Sequence, residues 1–143
     1  MPTLTMPVDS TYSITIQAPG LVPGHVLVNS FSGVEALSHL FRFELSLSSL
    51  TPITHLGEFP GQLASLSFGT ESTRRYFHGV ISKFEAIGQG PYEFHYRVEV
   101  VPSLWLLTHR YANRIFQEKT VPEIIDLVLR RAGFSSHEFT LIM

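Results

Sequence analysis

Between positions 92 and 100 the chain alternates without a break, with Tyr92, Phe94, Tyr96, Val98 and Val100 set against Glu93, His95, Arg97 and Glu99. Successive side chains of a β-strand point to opposite faces, so this pattern demands a strand with one buried and one wet face. It also constrains the neighbours, because a slip of one residue turns every apolar group toward water. Three further stretches share the period: Tyr12, Ile14 and Ile16; Phe41, Phe43, Leu45 and Leu47 against Arg42, Glu44, Ser46 and Ser48; and the shorter Ala64, Leu66 and Phe68. The segment Arg75 to Ile87 reads as the hairpin partner of the first, joined to it through Gly88, Gln89, Gly90 and Pro91, where glycine supplies positive φ and proline fixes the turn. A turn centred on Gln89 and Gly90 sets His95 opposite Phe84 and His78 opposite Val101.

Proline and glycine punctuate the rest. Pro19, Gly20, Pro23 and Gly24 mark one loop, and Pro52 to Pro60 a longer one. After Pro102 the period changes. Ser103 caps a short helix carrying Leu104, Trp105, Leu106 and Leu107, with Trp105 read as a core plug, and Asn113 to Phe116 reads as a short extended piece. Thr120, Val121, Pro122 and Glu123 form a T-x-x-E capping box with proline in the first turn. Val121, Ile124, Ile125, Val128 and Leu129 then recur on one helical face, Arg130 and Arg131 suit the C-terminal end of the dipole, and Gly133 stops the helix. The sequence therefore predicts a mainly β protein with one or two α-helices, an α+β chain forming a single domain over residues 1–143. Its antiparallel sheet curls into a barrel on which the Ile124, Ile125 and Val128 face packs. The apolar run Phe139 to Met143 reads as the opening of another strand and implies a piece of something longer.

Composition bears on partners. Hydrophobic residues make up 44% and charged residues 15%, which leaves apolar surface for a partner as well as a core. Ten Lys+Arg against twelve Asp+Glu give a net charge of −2, which provides no field for capturing phosphate backbones and excludes nucleic acid as the expected ligand. Cysteine is absent, so disulfide scaffolds, thiolate metal sites and thiol nucleophiles are out. The first basic residue is Arg42 and no apolar run nears the roughly 20 residues needed to cross a bilayer, so neither a secretory signal nor a membrane span is expected.

Seven histidines raise the question of a metal site. The hairpin register sets His78 and His95 about 20 Å apart along the ladder, too far to share an ion. His137 and Glu138 begin an H-E-x-x-H motif, but Leu141 stands in place of the second histidine. No serine lies in G-x-S-x-G, and the G-x-G of Gly88 and Gly90 meets Glu93 and a strand where a nucleotide loop needs glycine and a helix. Asp9 and Asp126 are the two aspartates, and Glu93 and Glu99 read as solvated strand-face groups. Arg74 and Arg75 read as a solvated edge guard. The aromatic faces of Phe41, Phe43, Tyr92, Phe94 and Tyr96 read as barrel core. No catalytic, cofactor-binding or metal-ligating residue is assigned.

Three blocks carry a family resemblance. Phe31, Gly33, Glu35, Leu37 and Ser38, followed by Phe41-Arg42-Phe43-Glu44-Leu45, resemble the F-x-G-x-E-x-L-S opening of the VgrG spike proteins of type VI secretion. Arg75, Phe77, His78, Gly79 and Val80 resemble that family's R-x-F-H-G-V segment, and Pro102, Leu104, Trp105 and Leu107 its P-x-L-W-x-L. Arg114-Ile115-Phe116-Gln117 and Thr120-Val121-Pro122-Glu123-Ile124-Ile125 resemble its R-I-F-Q-x-x-T-V-x-E-I-I run. Leu40 departs from the pattern, standing where proline commonly precedes the phenylalanine. The resemblance implies the N-terminal part of a phage baseplate hub-type barrel, the second hub barrel and β-helical needle being absent. It implies a homotrimeric hub, a partner in the hexameric Hcp tube and other baseplate proteins, and a role in delivering effectors. It further implies residence in the cytoplasm before firing and export through the apparatus without a signal peptide. Enzymatic activity, where members have it, resides in C-terminal extensions, so this chain is expected not to be an enzyme. The rival is a small-ligand-binding β-barrel, marked by a closed pocket lined by the aromatic faces. A histidine-dependent metal hydrolase is the third reading.

Overall fold

The computed structural model describes residues 4–7, 13–70 and 72–135, so the Phe139 to Met143 strand and the His137-Glu138 pair lie outside the described residues. The chain divides into two compact units, Met1–Leu106 and Leu107–Met143. The first unit holds seven strands: β1 (Leu4–Pro7), β2 (Ser13–Gln17), β3 (Val26–Val34), β4 (Arg42–Ser49), β5 (Leu63–Gly69), β6 (Arg75–Gln89) and β7 (Phe94–Val101). All pair antiparallel in one sheet of order β1-β3-β4-β7-β6-β5-β2. The sheet curls until β2 comes alongside β3, giving a nearly closed barrel. The two strands left at the ends of the sheet, β1 and β2, are short, which limits the edge it presents.

Alternation decides what fills the barrel. On β4 the inward residues are Phe43, Leu45 and Leu47, and on β7 they are Tyr96, Val98 and Val100, all buried. They meet Leu66 from β5 and Phe77, Ile81 and Phe84 from β6 in one cluster. The rings form two groups: Phe43 lies 4.7 Å from Phe77 edge-on and Phe68 stacks on Phe77 at 5.4 Å, while Phe84 meets Tyr96 at 5.8 Å. The Pro52 to Pro60 loop takes part in this core. Leu56–Glu58 makes a 3-10 turn, the Ile53 N–H donates to the Tyr96 hydroxyl at 2.7 Å, and buried Phe59 stacks on Phe84 at 4.3 Å. Val80 and Val101, paired across β6 and β7, are buried apart from this cluster.

The structure corrects the hairpin. Its turn is Gly90 to Glu93, closed by the Gly90 N–H on the Glu93 carbonyl at 2.7 Å, so Tyr92 is a turn residue, 87% exposed, and no part of the barrel core. Gly88 and Gly90 do not take positive φ. With the turn centred two residues later than expected, His95 opposes Gly88, and irregularities at Ile81/Lys83 and Ala86/Gly88 each add a residue to β6, so Val101 opposes Val80. Phe41 and Phe94 are half-buried, while Phe43 and Tyr96 are core as expected.

In the second unit Asn113 to Phe116 form no strand, and α1 spans Val121–Arg131. After β7, Ser103–His109 is a 3-10 helix in which Trp105 is half-buried, so it is no core plug. The helix signals operate as read. The Glu123 carboxylate reaches back to accept from the Thr120 backbone N–H at 2.7 Å and the Thr120 hydroxyl at 2.9 Å, while Arg130 donates to Asp126 at 2.7 Å. At the other end Gly133, at φ 98°, donates to the Arg130 carbonyl and Phe134 to the Leu129 carbonyl, the paired bonds of a left-handed cap. Of the apolar stripe, Leu129 is buried, Ile124 and Val128 are half-buried, and Ile125 and Val121 remain 39% and 70% exposed. Ile125 is thus a margin residue rather than the centre of a buried face.

The capping box has a pH signature. The backbone bond from Thr120, then its hydroxyl bond, lower the Glu123 pKa below the ordinary glutamate range. A depressed folded-state pKa contributes stability above the unfolded value, which is lost as pH falls through the folded value. Glu123→Ala is therefore expected to reduce the helical circular-dichroism signal at neutral pH. The gap from the parent should close as the pH falls below the ordinary glutamate range. A gap that stays constant into acid would remove the carboxylate from this role.

Candidate assembly surface

The motif residues of β3, β4 and β6 converge on one region of the barrel. Phe31 enters the core from β3, and two residues on, Gly33 pairs with Phe43, whose ring covers it. Glu35 follows, exposed, and accepts from the Arg75 guanidinium at 3.1 Å. Arg75 opens β6 and lies over Phe77 at 4.9 Å and Phe68 at 5.8 Å, a cation held on aromatic faces. Arg74 donates to Ser13 Oγ at 2.7 Å, tying β6 to the start of β2. Arg74 and Arg75 therefore do more than guard an edge, because they fasten separate strands and a loop to one another.

The outward face of β4, β7 and β6 carries opposite charges side by side. Arg42 pairs with Glu99 at 3.1 Å, Arg97 with Glu44 at 3.4 Å and Lys83 with Glu85 at 2.9 Å, and Ser82 Oγ donates to Glu99 at 2.5 Å. Such exposed pairs set register more than stability, each contributing about 0–1 kcal/mol. Glu99 is thus a half-buried, bonded group, whereas Glu93 sits at the turn 3.6 Å from His95. Glu44 and Glu99 stand directly opposite each other across β4 and β7, and each is taken up by an arginine, Glu44 by Arg97 and Glu99 by Arg42.

Histidine chemistry does not assemble either. His78 bonds Ser65 at 2.9 Å on the β5 side, and the corrected register sets it roughly 30 Å along β6 from the residue opposite His95. Among the described residues no three His, Asp or Glu side chains gather to hold an ion. The aromatic residues that a small-ligand pocket would need apart pack together instead: among the described residues Phe43 meets Phe77, and Phe84 meets both Phe59 and Tyr96.

What remains is exposed apolar surface at one end of the barrel. Leu27 and Leu50, 66% and 79% exposed, border an open groove of about 630 Å³ with His25, Ser49, Thr51 and Glu93. The groove is shallow and mixed, suited to a protein partner more than a small molecule. Sequence reasoning missed it because an exposed leucine and a core leucine carry the same letter. No helix among the described residues is long and apolar enough to cross a membrane.

Comparison with known proteins places this geometry. Residues 34–142 match the family described as phage tail baseplate hub (GPD). The chain is 37% identical over 133 residues to the type VI secretion system spike protein VgrG1a of Pseudomonas aeruginosa, a match that covers 92% of this chain and 20% of that protein. It is 40% identical over 111 residues to VgrG1b of the same organism, covering 76% of this chain and 15% of that one. The chain thus spans a fifth or less of the length of these relatives. A solved Escherichia coli protein, c3393, superposes with a TM-score of 0.71 at 31% identity, covering 81% of this chain and 31% of its own. It is described as a component of the type VI secretion system with structural similarity to the T4 bacteriophage tail proteins gp27 and gp5.

Proposed function

The chain belongs to the phage tail baseplate hub family, and on that premise we propose that it forms the N-terminal barrel portion of a type VI secretion spike. In this reading three copies build a hub that docks on the hexameric Hcp tube alongside other baseplate proteins and helps deliver effectors into target cells. The protein waits in the cytoplasm and leaves through the apparatus without a signal peptide. The second hub barrel and the needle belong to other residues than these. The reading assigns no catalytic, cofactor-binding or metal-ligating residue, and its work is structural.

The observation that carries this reading is the superposition on a type VI secretion component over most of the chain. The physics is consistent with it. A barrel filled by its own aromatics offers no substrate chamber, while exposed Leu27 and Leu50 and the low share of charged residues suit a subunit of a symmetric assembly. Sedimentation velocity of the chain alone, and then mixed with the tube protein of the same organism, tests it. A trimer, or a new boundary heavier than the tube hexamer, is the expected result. A monomer that leaves the tube boundary unchanged overturns the assignment of assembly contacts to these residues.

A further inference from the structure

The second unit holds a cleft of about 240 Å³ lined by Leu107, Arg110, Arg114, Phe116, Val128 and Arg131, with two alanines. Three of the chain's ten basic residues meet there, in a protein of net charge −2, and no carboxylate lines the cleft. The two carboxylates of α1 are engaged elsewhere: Glu123 on Thr120 and Asp126 on Arg130. Arg110 donates to the Arg131 carbonyl at 3.4 Å, an ordinary use of a cation at the end of a helix. Arg114 and Arg131 have no ion-pair partner among the described residues. Arg130 and Arg131 both suit the helix dipole, but that does not account for Arg114, which lies off the helix and adds like charge to the same cleft.

Chemistry narrows the occupant. A guanidinium offers paired N–H groups that match a carboxylate, and Leu107, Phe116 and Val128 offer an apolar floor beside it. The volume falls below the roughly 300–1,000 Å³ of pockets that enclose drug-sized ligands, which leaves room for one or two side chains of a protein segment. A nucleic acid would need a track of cations along a phosphate backbone, and this is a single cleft. We infer that the cleft docks a short segment of a partner protein in which carboxylates flank a large apolar side chain. The inference stands on this cleft alone and does not depend on the hub reading.

The test titrates the isotopically labelled full chain with a capped pentapeptide alternating glutamate with leucine and phenylalanine, read by amide and arginine side-chain NMR. Saturable shifts confined to residues 107–116 and 128–132 are expected. Arg114→Ala and Arg131→Ala are each expected to weaken binding about tenfold, the scale of losing one charge-assisted bond. Arg114 is off the helix, so its variant tests the cleft even if the Arg131 variant melts early. Equal shifts from the glutamine version of the peptide would reduce the site to apolar contact. Equal affinity for inorganic phosphate would reduce it to an anion sink, and displacement by a DNA duplex would make it a nucleic-acid surface. Each of these, or shifts elsewhere or none at millimolar peptide, overturns the proposal.

Discussion

Replacing Gly79 with valine is expected to destabilise the barrel by roughly 3 kcal/mol or more, the upper range for forcing atoms into a filled core. Strand propensity alone predicts the opposite sign, since β-branched residues favour strands and glycine weakens them. The geometry decides it. A Cβ on Gly79 would overlap the Val101 carbonyl oxygen and come within 3.3 Å of the Phe41 ring. A side chain can swing away from such a contact. A backbone carbonyl at the end of β7 cannot do so without disturbing the Val80 to Val101 pairing and the separate burial of those two valines. Against a typical domain stability of about 5–15 kcal/mol, a loss of this size shows as a large drop in the urea midpoint. A variant with the parent's midpoint would mean that the Val101 carbonyl does not cross Gly79. The glycine of the R-x-F-H-G-V block is therefore a demand for space, not a sign of chemistry.

Strands whose alternation runs unbroken were legible in the sequence, and β6 was legible as a hairpin partner, but β3 was not. In β4 and β7 the inward positions follow the two-residue period without a break, and the structure buries those residues. In β3 the alternation offers no sign of a strand, because Val28 and Phe31 are both buried but stand three residues apart. An irregularity between Val28 and Ser30 shifts the face, and its serines mask the rest. The hairpin register fails for another reason: the turn sits at Gly90 to Glu93, two residues later than Gln89 and Gly90 suggest, which moves His95 from Phe84 to Gly88. Helix α1 was legible at both ends because its caps are chemical rather than periodic: Glu123 must reach Thr120, and Gly133 must take a positive φ. Its buried face was not, since Ile125 and Leu129 share the stripe while only the surroundings decide which is covered.

The candidate site was legible in a different sense. The motif residues Phe31, Gly33, Glu35, Arg75, Phe77 and Gly79 mark where strands far apart in sequence must meet, and distance in sequence hides that meeting. Glu35 and Arg75 are forty positions apart and 3.1 Å apart in space. A charge pair this exposed adds little stability, yet the guanidinium it steadies covers two rings that water would otherwise reach. The motifs thus specify a barrel of defined shape, while the surfaces proposed for partners are the Leu27 and Leu50 rim of the barrel and the arginine cleft of the second unit. The rim carries no motif signature of its own, whereas the cleft draws Arg114 and Phe116 from the R-I-F-Q block and Leu107 from P-x-L-W-x-L.

Phe43→Ala is expected to cost about 3–5 kcal/mol, the range for deleting a buried ring and leaving a cavity. The ring is 4% exposed and touches Phe41 at 5.2 Å, Phe77 at 4.7 Å and Phe68 at 6.4 Å, so its loss opens the middle of the aromatic set. The sharper test joins it to Gly33. A Cβ there would overlap the Phe43 ring, so Gly33→Ala in the parent is expected to destabilise by about 1–3 kcal/mol. In the Phe43→Ala background the same methyl enters vacated space and the penalty disappears. The double-mutant cycle should then show a coupling of roughly 1–3 kcal/mol, with the double variant more stable than the two single losses predict. Additivity within about 0.5 kcal/mol would show that the ring does not lie over Gly33. The F-x-G-x-E block would then owe its glycine to something other than its partner on β4. Coupling of the expected sign ties that block to the phenylalanine ten residues on, which explains physically why the two stand in one motif.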